Sequence, residues 1–165
     1  MEIKHATRNS KHATQTFFAD TMLGRLARWM RIMGYNVRYD NEIDDNELIK
    51  KAVSEERIVL TRDTLLIKRR ALKGRYLFIN GDDYIDQVRQ IITSFDIDES
   101  KILTRCLICN SLLEGISKRE VREKVPPYVY STQVSFCICP DCRRIYWSGT
   151  HKDKIQKKLA FIRHG

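Results

Sequence analysis

Hydrophobic and polar positions along this chain fall into two rhythms. Four short, β-favouring runs, Thr16–Ala19, Asn36–Tyr39, Ile58–Thr61 and 76–79, each precede a stretch where apolar residues return every third or fourth position. Runs of this length suit buried strands, and a period of about 3.6 residues marks a helix with one apolar face. The first such stripe is Leu23, Leu26, Ala27, Met30 and Met33, followed by Gly34, a favoured residue just past a helix end. Leu48, Ile49, Ala52 and Val53 form the next, running to about Glu56. Residues 64–72 read as a helix with Lys68, Arg69, Arg70 and Lys73 on its outer side, and Ile85, Val88, Ile92 and Phe95 make another. Strand–helix alternation repeated four times predicts a parallel sheet covered by helices on both faces. Right-handed crossovers then place every strand's carboxyl end on one edge, where open α/β sheets bind ligands.

Near residues 98–101 the pattern changes. Beyond Leu103 the chain carries cysteines and becomes strand-like, with 129–136 and Ile145–Trp147 rich in aromatic and β-prone residues. Residues 118–124 are charged, and Pro126 with Pro127 marks a loop. Thr150, with Asp153 three residues on, reads as the capped start of a last helix, striped by Ile155, Leu159 and Ile162 among lysines. The expected organisation is a basic arm over 1–15, an α/β unit over 16–103, a cysteine-bearing β unit over 104–150 and a basic helix over 151–165.

The 165 residues are 42% hydrophobic and 31% charged, the composition of a soluble globular protein. No apolar run approaches a membrane span, and the polar, basic first fifteen residues lack the apolar core of a secretory signal. The expectation is a cytoplasmic protein. Net charge is +9, unevenly spread: residues 1–103 hold 18 Lys+Arg against 16 Asp+Glu, and residues 104–165 hold 12 against 5. A basic second half predicts a polyanionic partner, of which nucleic acid is the commonest.

Three constellations could carry chemistry. All five cysteines lie between 106 and 142, and four form two CxxC pairs, Cys106 with Cys109 and Cys139 with Cys142. Four thiolates on two tight turns suit tetrahedral zinc, and a site filled by protein ligands is structural rather than catalytic. The gap between the pairs is longer than in common zinc ribbons, and the alternative is buried or redox cysteines. Cys137, two residues before Cys139, would share its strand face and compete as a ligand.

The second constellation is acidic: Asp20, Asp44 or Asp45, and Asp63, each beside the end of a strand or the start of a helix. Carboxylates gathered at one sheet edge call for a hard cation such as Mg²⁺ or Mn²⁺, which can activate water for attack on a phosphodiester. Aspartate is also a favoured N-cap. Asp44 with Glu47 fits a capping box, which leaves Asp45 in the first turn. Asp63 could cap the segment after it, whereas a turn and Gly24 separate Asp20 from its helix. Asp82 and Asp83 follow the fourth strand, and Asp83 with Asp86 fits helix capping.

The third is basic. Arg25, Arg28 and Arg31 lie off the first apolar stripe, Arg62 adjoins Asp63, and Arg143 and Arg144 sit beside Tyr146 and Trp147. Arginines interleaved with aromatics suit phosphate contacts and base stacking, and they also suit a solvated surface. Gly-rich phosphate loops and Ser/His nucleophile arrangements are absent from the sequence.

Taken together, these motifs resemble the Mut-7 C-terminal RNase domain family, a PIN-like nuclease fold followed by a zinc ribbon. The likeness rests on Asp20 and the Thr–Met–Leu–Gly–Arg–Leu–Ala–Arg–Trp run after it, Asp45 to Leu48, and Arg57 to Asp63. It continues through Arg105 to Asn110, then Cys139 to Cys142 and the Tyr–Trp–Ser–Gly–Thr–His tail ending at His151. It runs from about Phe17 to His151, leaving the arm and the last helix outside. It implies metal-dependent RNA cleavage, with Asp20, Asp45 and Asp63 holding Mg²⁺ or Mn²⁺ and Cys106, Cys109, Cys139 and Cys142 holding Zn²⁺. A fourth acid has no clear owner; Asp40, Glu42 and Asp82 are candidates. The reading is an endoribonuclease whose Arg25, Arg28, Arg62, Arg143 and Arg144 grip RNA. The competing readings are a non-catalytic RNA-binding protein on rRNA or the ribosome, and the toxin half of a toxin–antitoxin pair.

Overall fold

The computed structural model describes residues 15–147 and 151–164. Strands β1 (Thr16–Ala19), β2 (Asn36–Tyr39), β3 (Ile58–Thr61) and β4 (Tyr76–Phe78) form one parallel sheet in the order β2-β1-β3-β4. Ala19 pairs with Tyr39 on one side and with Leu60 on the other, so β1 and β3 are the two interior strands. Strand side chains alternate between faces. Phe17 and Ala19 therefore join one core with helix α1 (Gly24–Ile32) and helix α3 (Tyr84–Ser94), while Phe18 joins another with helix α2 (Asp45–Ser54). Helices cover both faces, as the alternating pattern predicts.

The stripe of α1 is buried in full: Leu23, Leu26, Ala27, Met30 and Met33 all face the first core. Gly34 ends that helix at φ +89°, with its N–H donating to Arg31 O at 3.1 Å and Tyr35 N–H donating to Met30 O at 3.0 Å. This pair of bonds is a Schellman closure, which needs the left-handed conformation that glycine adopts without strain. A Cβ there would also lie 2.4 Å from the carbonyl oxygen of Lys101.

Three expectations about local structure change. Residues 64–72 form two 3-10 turns, Leu66–Lys68 and Arg70–Leu72, because Arg69 between them is extended at ψ 124°. The β-prone stretch 129–136 is mostly helix α4 (Pro127–Thr132), and only Phe136 enters a strand. Pro127 at the first helical position presets φ for a helix and outweighs the β preference of the aromatics after it. Asp44 does cap α2, but Glu47 pairs with Lys51 rather than reaching back to close a capping box.

Past residue 104, β5 (Glu114–Ile116), β6 (Phe136–Ile138) and β7 (Ile145–Trp147) form a three-stranded antiparallel sheet over a small core of Val121, Val125 and Phe136. Helix α5 (His151–His164) packs on α3 and buries Leu159 and Ile162 in the first core, along the predicted stripe. The expected arm over 1–14 and the Thr150 cap lie outside the described residues. Among the described residues no helix is long and apolar enough to cross a membrane.

The small sheet meets the large one at the amino end of β2, an edge strand. Asn110 accepts from the Val37 N–H at 3.0 Å and donates to Asn36 Oδ1 at 2.8 Å, occupying an edge group that would otherwise invite another strand. Arg105 donates to Gly34 O at 3.0 Å, and Leu103 N–H to Ile32 O at 2.8 Å. Arg31 reverses its expected outward orientation. It is buried, donating from Nε to Val37 O at 3.0 Å and from Nη1 to Leu107 O at 3.1 Å and Ile108 O at 2.7 Å. Those carbonyls form a fork-shaped acceptor set that a guanidinium matches.

Candidate metal centre and acidic edge

Each CxxC pair is closed by the same local bonds. Asn110 N–H donates to Cys106 O at 3.0 Å, and Arg143 N–H donates to Cys139 O at 3.0 Å. Cys106 N–H reaches Ser111 O at 2.8 Å, and Cys139 N–H reaches Arg144 O at 2.9 Å. Both Asn110 and Arg143 turn left-handed, at φ 73° and 59°. The two knuckles face each other. The sulfurs of Cys106, Cys109, Cys139 and Cys142 all lie within 4.8 Å of one another, with Cys137 outside the group.

The electrostatics of this group favour a cation. Burial works against a Cys106 thiolate, yet the Cys109 and Ile108 amides and the Tyr146 hydroxyl, 3.1 Å away, together pull its pKa down to about 6. Burial pushes Cys139 up to about 12. Four sulfurs this close resist ionising together unless a divalent ion lies among them. Four donors with no open position fit a structural metal such as zinc.

The acids are placed differently. Asp20 leaves β1 at its carboxyl end, with its N–H bonded to Leu60 O at 2.9 Å on β3. It is the one buried acidic side chain among the described residues, 5% exposed. Its Oδ1 accepts from the Thr21 N–H at 2.6 Å, and its Oδ2 accepts from the Thr61 hydroxyl at 2.6 Å. That hydroxyl also accepts the Asp63 N–H at 3.0 Å, so Thr61 joins the two strand ends. Asp63 Oδ1 caps the next turn, accepting from Leu65 N–H at 2.6 Å and Leu66 N–H at 3.1 Å. Asp45 is exposed in the first turn of α2. Among the described residues none of the three has an ion-pair partner. They also do not form a group within 4.8 Å of one another; the four cysteines alone do. Of the fourth-acid candidates, Asp82 pairs with Arg62, and Asp40 accepts the Glu42 amide at 3.0 Å.

The basic candidates divide. Arg25 lies over the Tyr84 ring, 4.9 Å from its centre, and Arg62 is tied to Asp82. Arg28 from α1 and Arg144 from the second knuckle line one open hollow of about 230 Å³, and Arg143 is exposed beside it. Spacing did not single out Thr61, Arg31 or Asn110 for their roles. An Arg at every third position of a helix looks solvated, and nothing in the string of residues marks the one with carbonyls waiting for it.

A parallel sheet with aspartates at its carboxyl edge, fused to a pair of cysteine knuckles, defines a mixed α/β protein with a four-cysteine cluster that could hold a metal. Residues 15–159 match the family model described as the Mut7-C RNAse domain, nearly the whole chain, and the protein belongs to that family. The match runs past His151 to residue 159, so it takes in the first part of α5, which the sequence resemblance leaves outside. No curated protein matches the chain. Family membership points to a nuclease-type, RNA-related role.

Proposed function

We propose that the protein is a metal-dependent endoribonuclease acting on cytoplasmic RNA, with catalysis at the edge formed by Asp20, Asp63 and Asp45. The observation that carries this reading is Asp20. Burying a carboxylate with no cation beside it costs several kcal/mol in general, and such costs persist where function needs them. Mg²⁺ or Mn²⁺ supplies Lewis acidity toward a phosphate and lowers the pKa of a water when bound. The chain supplies the oxygen donors such an ion takes. Thr61 holds the Asp20 carboxylate by its Oδ2 and the Asp63 backbone by its N–H, fixing both strand ends in one frame. Asp63 keeps Oδ2 uncommitted while Oδ1 caps the turn. Asp45, exposed in the first turn of α2, is the third acid, and Arg25, Arg28, Arg62, Arg143 and Arg144 hold the RNA phosphates. Zn²⁺ in the four-cysteine site keeps the 104–150 unit folded against the 16–103 unit. Cleavage leaves a 5′-phosphate and a 3′-hydroxyl.

The test uses zinc-loaded protein, labelled RNA and Mn²⁺. Wild type is expected to cut, and Asp63→Ala to reduce cutting to background with RNA affinity retained and stability lowered only by the lost cap, about 1 kcal/mol. Cutting by the purified variant at the wild-type rate would remove Asp63 from the site. The spread of the three acids and the capping role of Asp63 favour a second reading, a non-catalytic RNA-binding protein on rRNA or the ribosome. Tight, salt-dependent RNA binding with no metal-dependent cuts selects it.

A further inference from the structure

We infer that the hollow between α1 and the second cysteine knuckle is a nucleotide-binding subsite, holding one base and phosphate of a single-stranded RNA at a fixed remove from the acidic edge. This inference rests on the RNA-cleavage reading and adds where the strand is held and how it runs.

The hollow is lined by Arg28, Leu107, Ile108, Arg144, Ile145 and Tyr146. Its two charged lining residues are both guanidiniums, one from each unit, and both are exposed. Two guanidiniums at one mouth suit a phosphate, which they can grip through paired N–H donors. The rest of the wall is apolar and aromatic. Ile108 is 51% exposed without a partner, and the Tyr146 hydroxyl is committed to Cys106 Sγ and the Leu107 N–H, which leaves its ring to offer a face or an edge. An aromatic ring with aliphatic neighbours, beside a phosphate clamp, is an arrangement that takes a base without reading its sequence. At about 230 Å³ the hollow is smaller than the enclosed pockets of about 300 Å³ and more that take free small molecules. It is open enough for a chain to pass through it.

Its floor is fixed. Arg31, a buried residue of α1, holds the Leu107 and Ile108 carbonyls and so ties the first knuckle to α1. Its position relative to the acids follows from topology. Helix α1 starts just after Asp20 at the carboxyl edge and ends near the start of β2, where the knuckle docks. Arg28 is eight residues past Asp20, roughly 10–15 Å along the chain direction at helical rise. Arg25, one turn earlier and also exposed, lies between them. Arg25, Arg28 and Arg144 thus mark a basic track leading from the acidic edge to the hollow. A strand lying on it would be cut a few nucleotides from the base that the hollow holds.

The experiment measures binding of labelled single-stranded RNA by fluorescence anisotropy, without Mg²⁺ or Mn²⁺, at several salt concentrations and several lengths. Arg28→Ala with Arg144→Ala is compared with Arg122→Ala with Lys124→Ala, a pair of equal charge change outside the hollow. Zinc content and unfolding midpoint are checked in both. The hollow pair is expected to weaken binding at least tenfold and to lower the salt slope by about 1.4, two single-strand phosphate contacts. The control pair is expected to change affinity less than threefold. The gain in affinity with RNA length should stop at a shorter oligonucleotide in the hollow variant than in wild type. Equal losses in both pairs would mean unspecific charge and overturn the subsite. Unchanged binding in the hollow variant would also overturn it, and would leave the groove to a protein segment. If wild type cuts and binds RNA while the hollow variant matches it, this inference alone fails. If wild type binds no RNA, the reading beneath it fails too.

Discussion

Replacing Arg31 with Met isolates what joins the cysteine knuckle to the sheet. Methionine refills the space of the arginine stem, so the change removes donors and charge rather than volume. Three carbonyls lose their partner: Val37 O, Leu107 O and Ile108 O. Hydrogen bonds from a charged donor are worth about 1.5–3 kcal/mol each, and an acceptor left buried costs a similar amount. Two effects reduce the sum. Ile108 is half exposed, so water can serve its carbonyl. Burial also holds Arg31 below its ordinary pKa, a cost the neighbouring Cys106 and Cys109 thiolates offset only in part, so removing the charge recovers some desolvation. The balance is a loss of about 2–4 kcal/mol. The same substitution takes a positive charge from beside two ligands, which should lower metal affinity about 10–100-fold, the usual effect of losing a group that supports a ligand. Urea unfolding of the zinc-loaded protein reads the first number, and competition with a chromophoric chelator reads the second. Arg31→Lys keeps the charge but not the fork and should fall between. An unchanged urea midpoint together with unchanged zinc affinity in Arg31→Met would show that the seam is held elsewhere.

Asp20→Asn should abolish cleavage while lowering stability in metal-free buffer by no more than about 2 kcal/mol, since relief of a buried charge offsets the acceptor lost to the Thr21 N–H or the Thr61 hydroxyl; paired activity and unfolding measurements test it. Gly34→Ala should destabilise by at least about 3 kcal/mol, because the residue sits at φ +89° and the new methyl would press on the Lys101 carbonyl; a midpoint shift equivalent to less than about 1 kcal/mol would contradict that geometry. Stripping the metal with a strong chelator should erase the near-ultraviolet signal of Tyr146 and Trp147 while the helical far-ultraviolet signal of the four-stranded unit persists. Metal loading at pH 7.5 should release protons: Cys106, near 6, is already a thiolate, whereas Cys139, near 12, gives up its proton to the metal. Affinity therefore falls as pH falls, and more steeply below about 6 when Cys106 also protonates; a pH-independent affinity in a proton-release titration would refute the assignment.

What could be read from the residues was whatever rests on local pattern. The alternation of short apolar runs with helical stripes gave a parallel sheet covered on both faces, because each rhythm has one backbone that can bury it. Gly34 announced a helix end, and the paired CxxC spacing brought four sulfurs together as expected. What could not be read depends on which element lands on which. Arg31 shares the spacing of Arg25 and Arg28, yet only Arg31 meets a set of carbonyls supplied by residues more than seventy positions away. The docking of the knuckle at the amino end of β2 was equally invisible, and it changes the functional picture most. The residue pattern gathers the aspartates at one sheet edge and does not say where the basic knuckle sits relative to them. The fold sets Arg144 at the opposite end of α1 from Asp20, with Arg25 and Arg28 between. On the proposed RNA-cleavage reading, the strongest phosphate grip need not lie at the scissile bond, where arginines would compete with divalent cations for the same carboxylates. On that reading, separating the two would let the acids stay unpaired while the second knuckle, with Arg144, holds the strand. That separation gives Arg31 its importance, because the distance from grip to acids is only as fixed as the seam that Arg31 closes.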